Sequence, residues 1–128
     1  MKNDYTNMTS SLEDYLEAIF LLSQKSKSVR LTDIAEQLGV SKPSVNRAVN
    51  TLTQNGFLEH ATYGDIVLTP AGESYAANVL HRHRLIKHFL MNTLGVDEQN
   101  AEQDACRMEH VMSAVTIEKL YEYLERQG

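Results

Sequence analysis

The segment DACRMEHVMS, residues 104–113, places three different metal-binding side chains within five positions. Cys106 is the only cysteine of the chain, and Glu109 and His110 follow it three and four residues later. On a helix these positions share one face, so the spacing predicts that a thiol, a carboxylate and an imidazole point the same way. Glu102 lies one turn earlier on that face. Taken alone, a cysteine is usually a small buried apolar residue, whereas the combination indicates a transition-metal site.

Three ligands rarely complete an octahedral site, so further ligands have to come from other segments. Asp14 and Glu17 are three residues apart beside an apolar stripe, and the alternative interpretation is a solvated acidic face. The segment HRHRLIKH contributes three histidines, which are also common as ordinary surface or core residues: His81, His83 and His88. The residues by themselves leave these alternatives open.

The elements that position these residues are predicted to be mainly helical. Hydrophobic periodicity and capping residues predict helices over about residues 10–24, 32–38, 41–55, 70–94, 97–110 and 113–126. Thr32, Ser41 and Thr69 are the predicted N-caps of the second, third and fourth helices, with Pro43 and Pro70 in first turns. The runs FLEHAT and IVLT predict a hairpin around Tyr63, Gly64 and Asp65.

Apolar residues at helical spacing define the faces that are expected to pack inward. The predicted inward positions are Ala35, Leu38, Val40, Val45, Val49 and Leu52 in the second and third helices, Ala76, Leu80, Ile86, Phe89 and Leu90 in the fourth, and Ile117, Leu120, Tyr121 and Leu124 in the sixth.

A short helix, a glycine turn, a second helix and a hairpin are the elements of a winged helix-turn-helix. The third helix would present Lys42, Ser44, Asn46, Arg47 and Asn50 outward, and residues 41–55 contain no acidic side chain. Such a helix lies in the major groove. Arg47 would contact guanine, Asn46 or Asn50 adenine, and Lys42 and Ser44 phosphate, with Ser41 at the helix start. The alternative is a helix-turn-helix that serves only packing.

Composition limits the class of protein. The chain has 128 residues, a net charge of −5 and 42% hydrophobic residues, which is typical of a compact globular protein. Residues 25–55 nevertheless carry five basic and two acidic side chains. One cysteine excludes an intramolecular disulfide, and no apolar run approaches the roughly 20 residues that span a bilayer. No secretory signal is evident, so a cytoplasmic location is expected.

The chain resembles the diphtheria toxin repressor family of metal-dependent regulators. The segments that carry this resemblance are SLEDYLEAIFLL, LTDIAEQLGVSKPSVNRAVNTL, HRHRLIKHFL and ACRMEHVMS. This family includes iron-type repressors and manganese transport regulators. The resemblance implies a mainly α fold with a winged helix-turn-helix domain over residues 1–70. A helical dimerisation and metal-binding domain would follow over residues 71–128. The longer relatives continue into an SH3-like domain, and the chain resembles a short form without it.

The resemblance also implies a ligand set. The primary-site ligands of the iron type are matched by Cys106, Glu109 and His110. The manganese type has a glutamate at the position of Cys106. Asp14 falls where the iron type has methionine and the manganese type aspartate. Glu17 matches a further ligand of the manganese type, and His83 matches the ligand of the fourth helix.

The second metal position of the iron type is altered in this sequence. Lys87 stands where that type has a glutamate ligand, and an ammonium does not coordinate metal. Glu102 stands where that type has a histidine and is a candidate replacement.

The function implied by the resemblance is a repressor of metal-uptake genes and not an enzyme. It would bind double-stranded DNA as a homodimer when loaded with iron(II) (Fe2+), which the soft thiolate favours, or with manganese(II) (Mn2+). No membrane and no small organic substrate are expected as partners. The alternative is a metal-independent winged-helix regulator that senses a small molecule or an oxidant through Cys106. An enzyme with Cys106 and His110 as a nucleophile pair is disfavoured, because no third orienting group or glycine-rich loop accompanies them.

Overall fold

The computed structural model of the chain describes residues 8–26, 28–60 and 64–127. The elements, in chain order, are α1 (Ser10–Lys25), α2 (Leu31–Leu38), α3 (Lys42–Gln54), β1 (Leu58–His60), β2 (Ile66–Leu68), α4 (Pro70–His88), a π-helical turn (Phe89–Thr93), α5 (Glu98–Met108) and α6 (Ala114–Gln127). The mainly α fold class is confirmed. The chain divides into two compact units, an amino-terminal unit up to Ala77 and a carboxy-terminal unit from Asn78.

The amino-terminal unit has the elements of a winged helix-turn-helix. Gly39 ends α2 in the left-handed conformation, with φ 68°, which glycine adopts without the steric cost of a Cβ atom. The strands β1 and β2 pair antiparallel, with Leu58 opposite Leu68. Tyr63, within the predicted hairpin turn, lies outside the described residues, as do Ala61 and Thr62. The predicted Thr32 cap is wrong, because α2 already begins at Leu31.

The core of this unit is a single apolar cluster contributed by its helices and its hairpin. Its largest fully buried side chains are Leu16, Ile19, Ile34, Val45, Val49, Leu52 and Leu58. Val40, which was predicted to pack inward, is 37% exposed, because it lies beyond the left-handed Gly39 that ends α2, where helical periodicity no longer applies. Glu13 on α1 is buried, and its carboxylate accepts a hydrogen bond from the hydroxyl of Tyr75.

The first turn of α4 is packed tightly against the start of the hairpin. Thr69 caps the helix as predicted, since its hydroxyl oxygen accepts a hydrogen bond from the Gly72 amide at 3.0 Å. The same hydroxyl donates to the Gly56 carbonyl at 2.7 Å. A Cβ atom on Gly72 would lie 2.1 Å from the Phe57 carbonyl oxygen. A glycine is therefore required at this position by the close approach of two backbones.

The carboxy-terminal unit is built around α5. Asp97 caps this helix, and its buried Ala101 and Ala105 pack against Ile86 and Leu90. The fourth helix was predicted to extend to about residue 94. The helical run does reach Thr93, but α-helical geometry ends at His88 and the last five residues form the π-helical turn. None of the described helices is long and apolar enough to span a membrane.

Two sequence-based expectations about this unit are wrong. The helix predicted over residues 97–110 ends at Met108, with Glu109 as its C-cap, so His110 lies in the turn that follows. Tyr121 on α6 was predicted to face inward and is 42% exposed. Ile117 and Leu120 do pack against the apolar cluster of this unit, although no residue of α6 is fully buried within the single chain.

Candidate metal centre and DNA-binding surface

A buried carboxylate and a buried imidazole form the middle of the candidate metal centre. Glu109 is 0% exposed, and its Oε1 lies 2.7 Å from His83 Nδ1. His83 Nε2 lies 3.1 Å from Glu102 Oε1, so both ring nitrogens have carboxylate partners. The hydrogen bond to Glu109, helped by Glu102 and opposed by burial, raises the pKa of His83 from 6.5 to about 9. Without metal, the imidazolium therefore donates to both carboxylates at neutral pH.

Glu102 connects this pair to the solvent-facing side of α5. Its Oε1 also lies 3.0 Å from Lys87 Nζ, and its Oε2 is 3.7 Å from Cys106 Sγ. Partial burial raises the pKa of Glu102, but the hydrogen bonds from Lys87 and His83 outweigh this effect and hold the pKa below its ordinary value. Cys106 is exposed, contrary to the usual buried position of a lone cysteine. Ligand atoms of His83, Glu102 and Cys106 all lie within 4.8 Å of one another.

His110 lies beside the other oxygen of Glu109. Its Nε2 is 3.4 Å from Glu109 Oε2, and its side chain is only 6% exposed. The prediction that Cys106, Glu109 and His110 share one helix face is therefore wrong. Cys106 is exposed and adjoins Glu102, whereas Glu109 and His110 are sheltered at and beyond the helix end. Asp14 and Glu17 lie on α1 in the amino-terminal unit, exposed and half-buried respectively.

The ligand set of the carboxy-terminal unit fits a divalent cation. Glu109 Oε2 is buried and accepts no hydrogen bond from any residue that the structure describes, which is costly for an ionised oxygen unless a cation neutralises it. A carboxylate beside an imidazole, with a thiol and a second imidazole nearby, is a donor set of the kind that binds first-row metals. A histidine held by a carboxylate is also a common orienting arrangement in metal sites.

The outward face of α3 is polar and lacks acidic side chains, as predicted. Lys42, Asn46, Arg47 and Asn50 are exposed, whereas Val45, Ala48 and Val49 are buried on the opposite face. Ser41 caps the helix by accepting a hydrogen bond from the Ser44 amide at 3.3 Å. Arg47 Nη2 donates to Ser44 Oγ at 3.3 Å, which holds the guanidinium towards the amino-terminal turn. Recognition helices contact base edges with this end.

The wing is attached to the loop between α1 and α2 by contacts that the sequence did not reveal. Ser28 Oγ donates to Asp65 Oδ1 at 2.9 Å, and the Ile66 amide donates to the Val29 carbonyl at 2.8 Å. Arg30, one of the five basic residues in the segment 25–55, forms an ion pair in which its Nε lies 3.5 Å from Asp65 Oδ1. Because Ser28 and Asp65 are 37 residues apart, no local pattern indicated this pairing.

Comparison with known proteins gives two consecutive family matches along the chain. Residues 7–66 match the profile of the iron-dependent repressor N-terminal DNA-binding domain. Residues 69–127 match the profile of the iron-dependent repressor metal-binding and dimerisation domain.

Similar whole proteins include regulators from an archaeon and a bacterium. An uncharacterised helix-turn-helix transcriptional regulator of Methanocaldococcus jannaschii is 33% identical over 93% of this chain and 96% of the relative. The transcriptional regulator MntR of Geobacillus thermodenitrificans is 36% identical over 88% of this chain and 79% of the relative. The solved structure of the manganese regulator SloR superposes with a TM-score of 0.82 at 33% identity.

The alignment with SloR covers 92% of this chain and 55% of that protein, so the chain spans about half the length of this solved relative. Both whole-protein relatives are described as helix-turn-helix transcriptional regulators, and the second profile is described as a metal-binding and dimerisation domain. The chain therefore belongs to the iron-dependent repressor family of metal-dependent transcriptional regulators.

Proposed function

We propose that this chain is a metal-activated repressor that binds operator DNA as a homodimer when loaded with iron(II) or manganese(II). The observation that carries the proposal is the buried Glu109 Oε2, which accepts no hydrogen bond from the described residues and lies 3.4 Å from His110 Nε2. His83, Cys106, Glu109 and His110 are the proposed ligands from the carboxy-terminal unit. The regulated genes would be those for metal uptake, and the protein would act in the cytoplasm.

Asp14 and Glu17 on α1 are proposed as further ligands, as the family resemblance implies. A divalent cation, when bound, supplies the positive charge that neutralises these carboxylates together with Glu109. The helix α1 belongs to the same unit as α3, so ligands on α1 would link metal occupancy to the recognition helix. Coupling of this kind is typically about 1–3 kcal/mol, or roughly 5–150-fold in affinity.

A second copy of the chain is the proposed partner for α6. In the single chain none of the described residues of α6 is fully buried, and Val115 and Tyr121 are 64% and 42% exposed. The neighbouring Val111 is 80% exposed. A symmetric dimer would cover these apolar side chains and fix the distance between two recognition helices, which has to match the half-site spacing on DNA. Sedimentation velocity of wild-type protein and of Val115→Glu would measure this assembly.

The α3 surface would bind the operator. Arg47 is proposed to contact guanine, and Asn46 or Asn50 adenine. Lys42, Ser44 and the capped start of α3 near Ser41 would hold phosphate.

The test is an anaerobic selection of genomic DNA fragments by the purified protein, first with chelator and then with iron(II), manganese(II) or zinc(II). Recovery of specific fragments only with metal supports the proposal, and the most effective ion identifies the activator. The softness of the Cys106 thiolate favours iron(II), whereas carboxylates favour manganese(II). Equal recovery with chelator would remove metal from the mechanism and favour the alternative of sensing through Cys106.

Asp14→Ala tests the contribution of α1. We expect this variant to show weakened metal-dependent DNA binding while its metal-free folding stays largely intact, because Asp14 is exposed and lies on a capped helix. Asp104→Ala, an exposed carboxylate on α5, is the matched control. An unchanged metal response in Asp14→Ala would refute the role of α1 in the centre.

A further inference from the structure

Lys87 places an ammonium group inside the carboxylate cluster of the carboxy-terminal unit. Its Nζ lies 3.0 Å from Glu102 Oε1 and 3.4 Å from Glu98 Oε2. The Lys87 side chain is only 26% exposed, compared with 47% for Glu102 and 75% for Glu98. The Lys87 side chain is therefore less exposed than those of its two carboxylate partners, and its ammonium contacts both of them.

Glu102 has little remaining capacity to bind a metal. Its Oε1 accepts from Lys87 and from His83 Nε2 at 3.1 Å, and only Oε2, 3.7 Å from Cys106 Sγ, faces another potential ligand. A metal–carboxylate bond is about 2.0–2.2 Å long. An ion on Oε1 would consequently lie within about 5 Å of the ammonium, and one on Oε2 within about 7 Å, so the ammonium would repel an ion on either oxygen.

We propose that Lys87 is a built-in cation that withdraws Glu102 from metal coordination and excludes a second divalent ion. The centre would then take one ion per subunit, held through Glu109 and His110. This inference rests on the proposed function, because it specifies how many ions the same centre accepts. Lys87 would then determine how many ions each subunit binds, with Glu98 and Glu102 as its counterions.

An ordinary surface ion pair would have the same appearance but different consequences. Exposed pairs contribute little, and their loss changes neither folding nor binding appreciably. If Lys87 were such a residue, its replacement would leave the number of bound ions unchanged. If Lys87 takes the place of an ion, its replacement by a carboxylate would create a site from three oxygen donors, namely the new side chain, Glu98 and Glu102.

The experiment measures bound manganese(II) per subunit by anaerobic equilibrium dialysis of wild-type protein, Lys87→Glu and Lys87→Gln. We expect one ion on the wild type and two on Lys87→Glu. Any second ion should bind Lys87→Gln at least tenfold more tightly than it binds the wild type. Lys119→Glu is the matched control, because Lys119 is an exposed lysine of the same unit that lies 3.9 Å from Glu122. This control should keep one ion.

A second readout does not depend on stoichiometry. In chelator, thermal unfolding of Lys87→Glu should occur at a lower temperature than that of the wild type, because three carboxylates then lie together without the ammonium. Saturating manganese(II) should raise this temperature more in Lys87→Glu than in the wild type or in Lys119→Glu.

Three results would overturn the assignment of Lys87. These are two ions per wild-type subunit, a single ion on a folded Lys87→Glu protein, and equal second-ion affinity in Lys87→Gln and the wild type. If charge reversal prevents folding, the neutral Lys87→Gln variant still decides the question. Absence of any bound ion on the wild type would overturn the proposed function itself, and this inference with it.

Discussion

Replacing Glu109 by glutamine separates its structural contribution from its proposed role as a metal ligand. The carboxylate is fully buried, with Oε1 2.7 Å from His83 Nδ1 and Oε2 3.4 Å from His110 Nε2. Glutamine has the same shape, and its amide oxygen can accept the hydrogen bond from His83. A hydrogen bond to a charged group contributes about 1.5–3 kcal/mol and a neutral one about 0.5–1.5 kcal/mol. The metal-free unfolding free energy of Glu109→Gln should therefore be about 1 kcal/mol lower than that of the wild type.

Glu109→Ala should behave differently in the absence of metal. It leaves a cavity and removes the closer hydrogen-bond partner of a buried histidine, at a combined cost of about 3 kcal/mol. In the presence of metal, both variants should be less stable than the wild type. Ion at 100 times its Kd stabilises the folded wild type by about 2.7 kcal/mol, whereas neither variant retains the anionic oxygen that would bind it.

The assay is urea unfolding followed by far-ultraviolet circular dichroism, in chelator and in excess manganese(II) without oxygen. Glu118→Gln, an exposed carboxylate on α6, is the control and should match the wild type in both conditions. If manganese(II) stabilises Glu109→Gln as much as the wild type, Glu109 is not a ligand. If Glu109→Ala is as stable as the wild type in chelator, the hydrogen bond to His83 does not stabilise the fold.

Three further predictions concern other parts of the molecule. Arg47→Ala should weaken metal-dependent operator binding by about 10–100-fold, the effect of losing one base contact, and equal affinity by fluorescence anisotropy would exclude base recognition by this residue. Gly72→Ala should lower the unfolding free energy by about 2 kcal/mol, because its Cβ would lie 2.1 Å from the Phe57 carbonyl oxygen; an unchanged urea midpoint would contradict this. Since the hydrogen bond to Glu109 raises the pKa of His83 from 6.5 to about 9, the stability that His83 contributes to the metal-free protein should be complete below pH 6.5 and be lost as the pH rises through about 9. Urea unfolding across this range measures the loss, and His83→Gln should flatten the profile.

Local signals in the sequence correctly predicted helix caps and the polar face of α3, the proposed recognition helix. Ser41 caps α3, Gly39 ends α2 with a positive φ, and Thr69 caps α4, each through interactions with residues at most four positions away. The polar face of α3 follows from the same periodicity that buries Val45 and Val49. Such features are determined by the sequence alone, because both partners of each interaction lie within one or two helical turns.

The ligand candidates were also identified from spacing and resemblance, but their arrangement was not. A regular helix through His110 was expected, whereas α5 ends at Met108 and the last two ligand candidates lie in the turn beyond it. Spacing does not show where a helix stops when neither glycine nor proline marks the end. The exposure of Val40 and Tyr121 was missed for a related reason, since apolar character alone does not tell which surface a side chain meets.

What only the tertiary structure decided is which charges meet. His83 and Glu109 are 26 residues apart, and their hydrogen bond exists because α4 and the end of α5 pack through small buried alanines. The same packing brings the Lys87 ammonium to 3.0 Å from Glu102, whereas the family resemblance implied only that a ligand is missing at this position. The sequence determined which chemical groups are present and which helices carry them. Their pairing, burial and pKa values depend on the distance and rotation between helices, which no local pattern encodes.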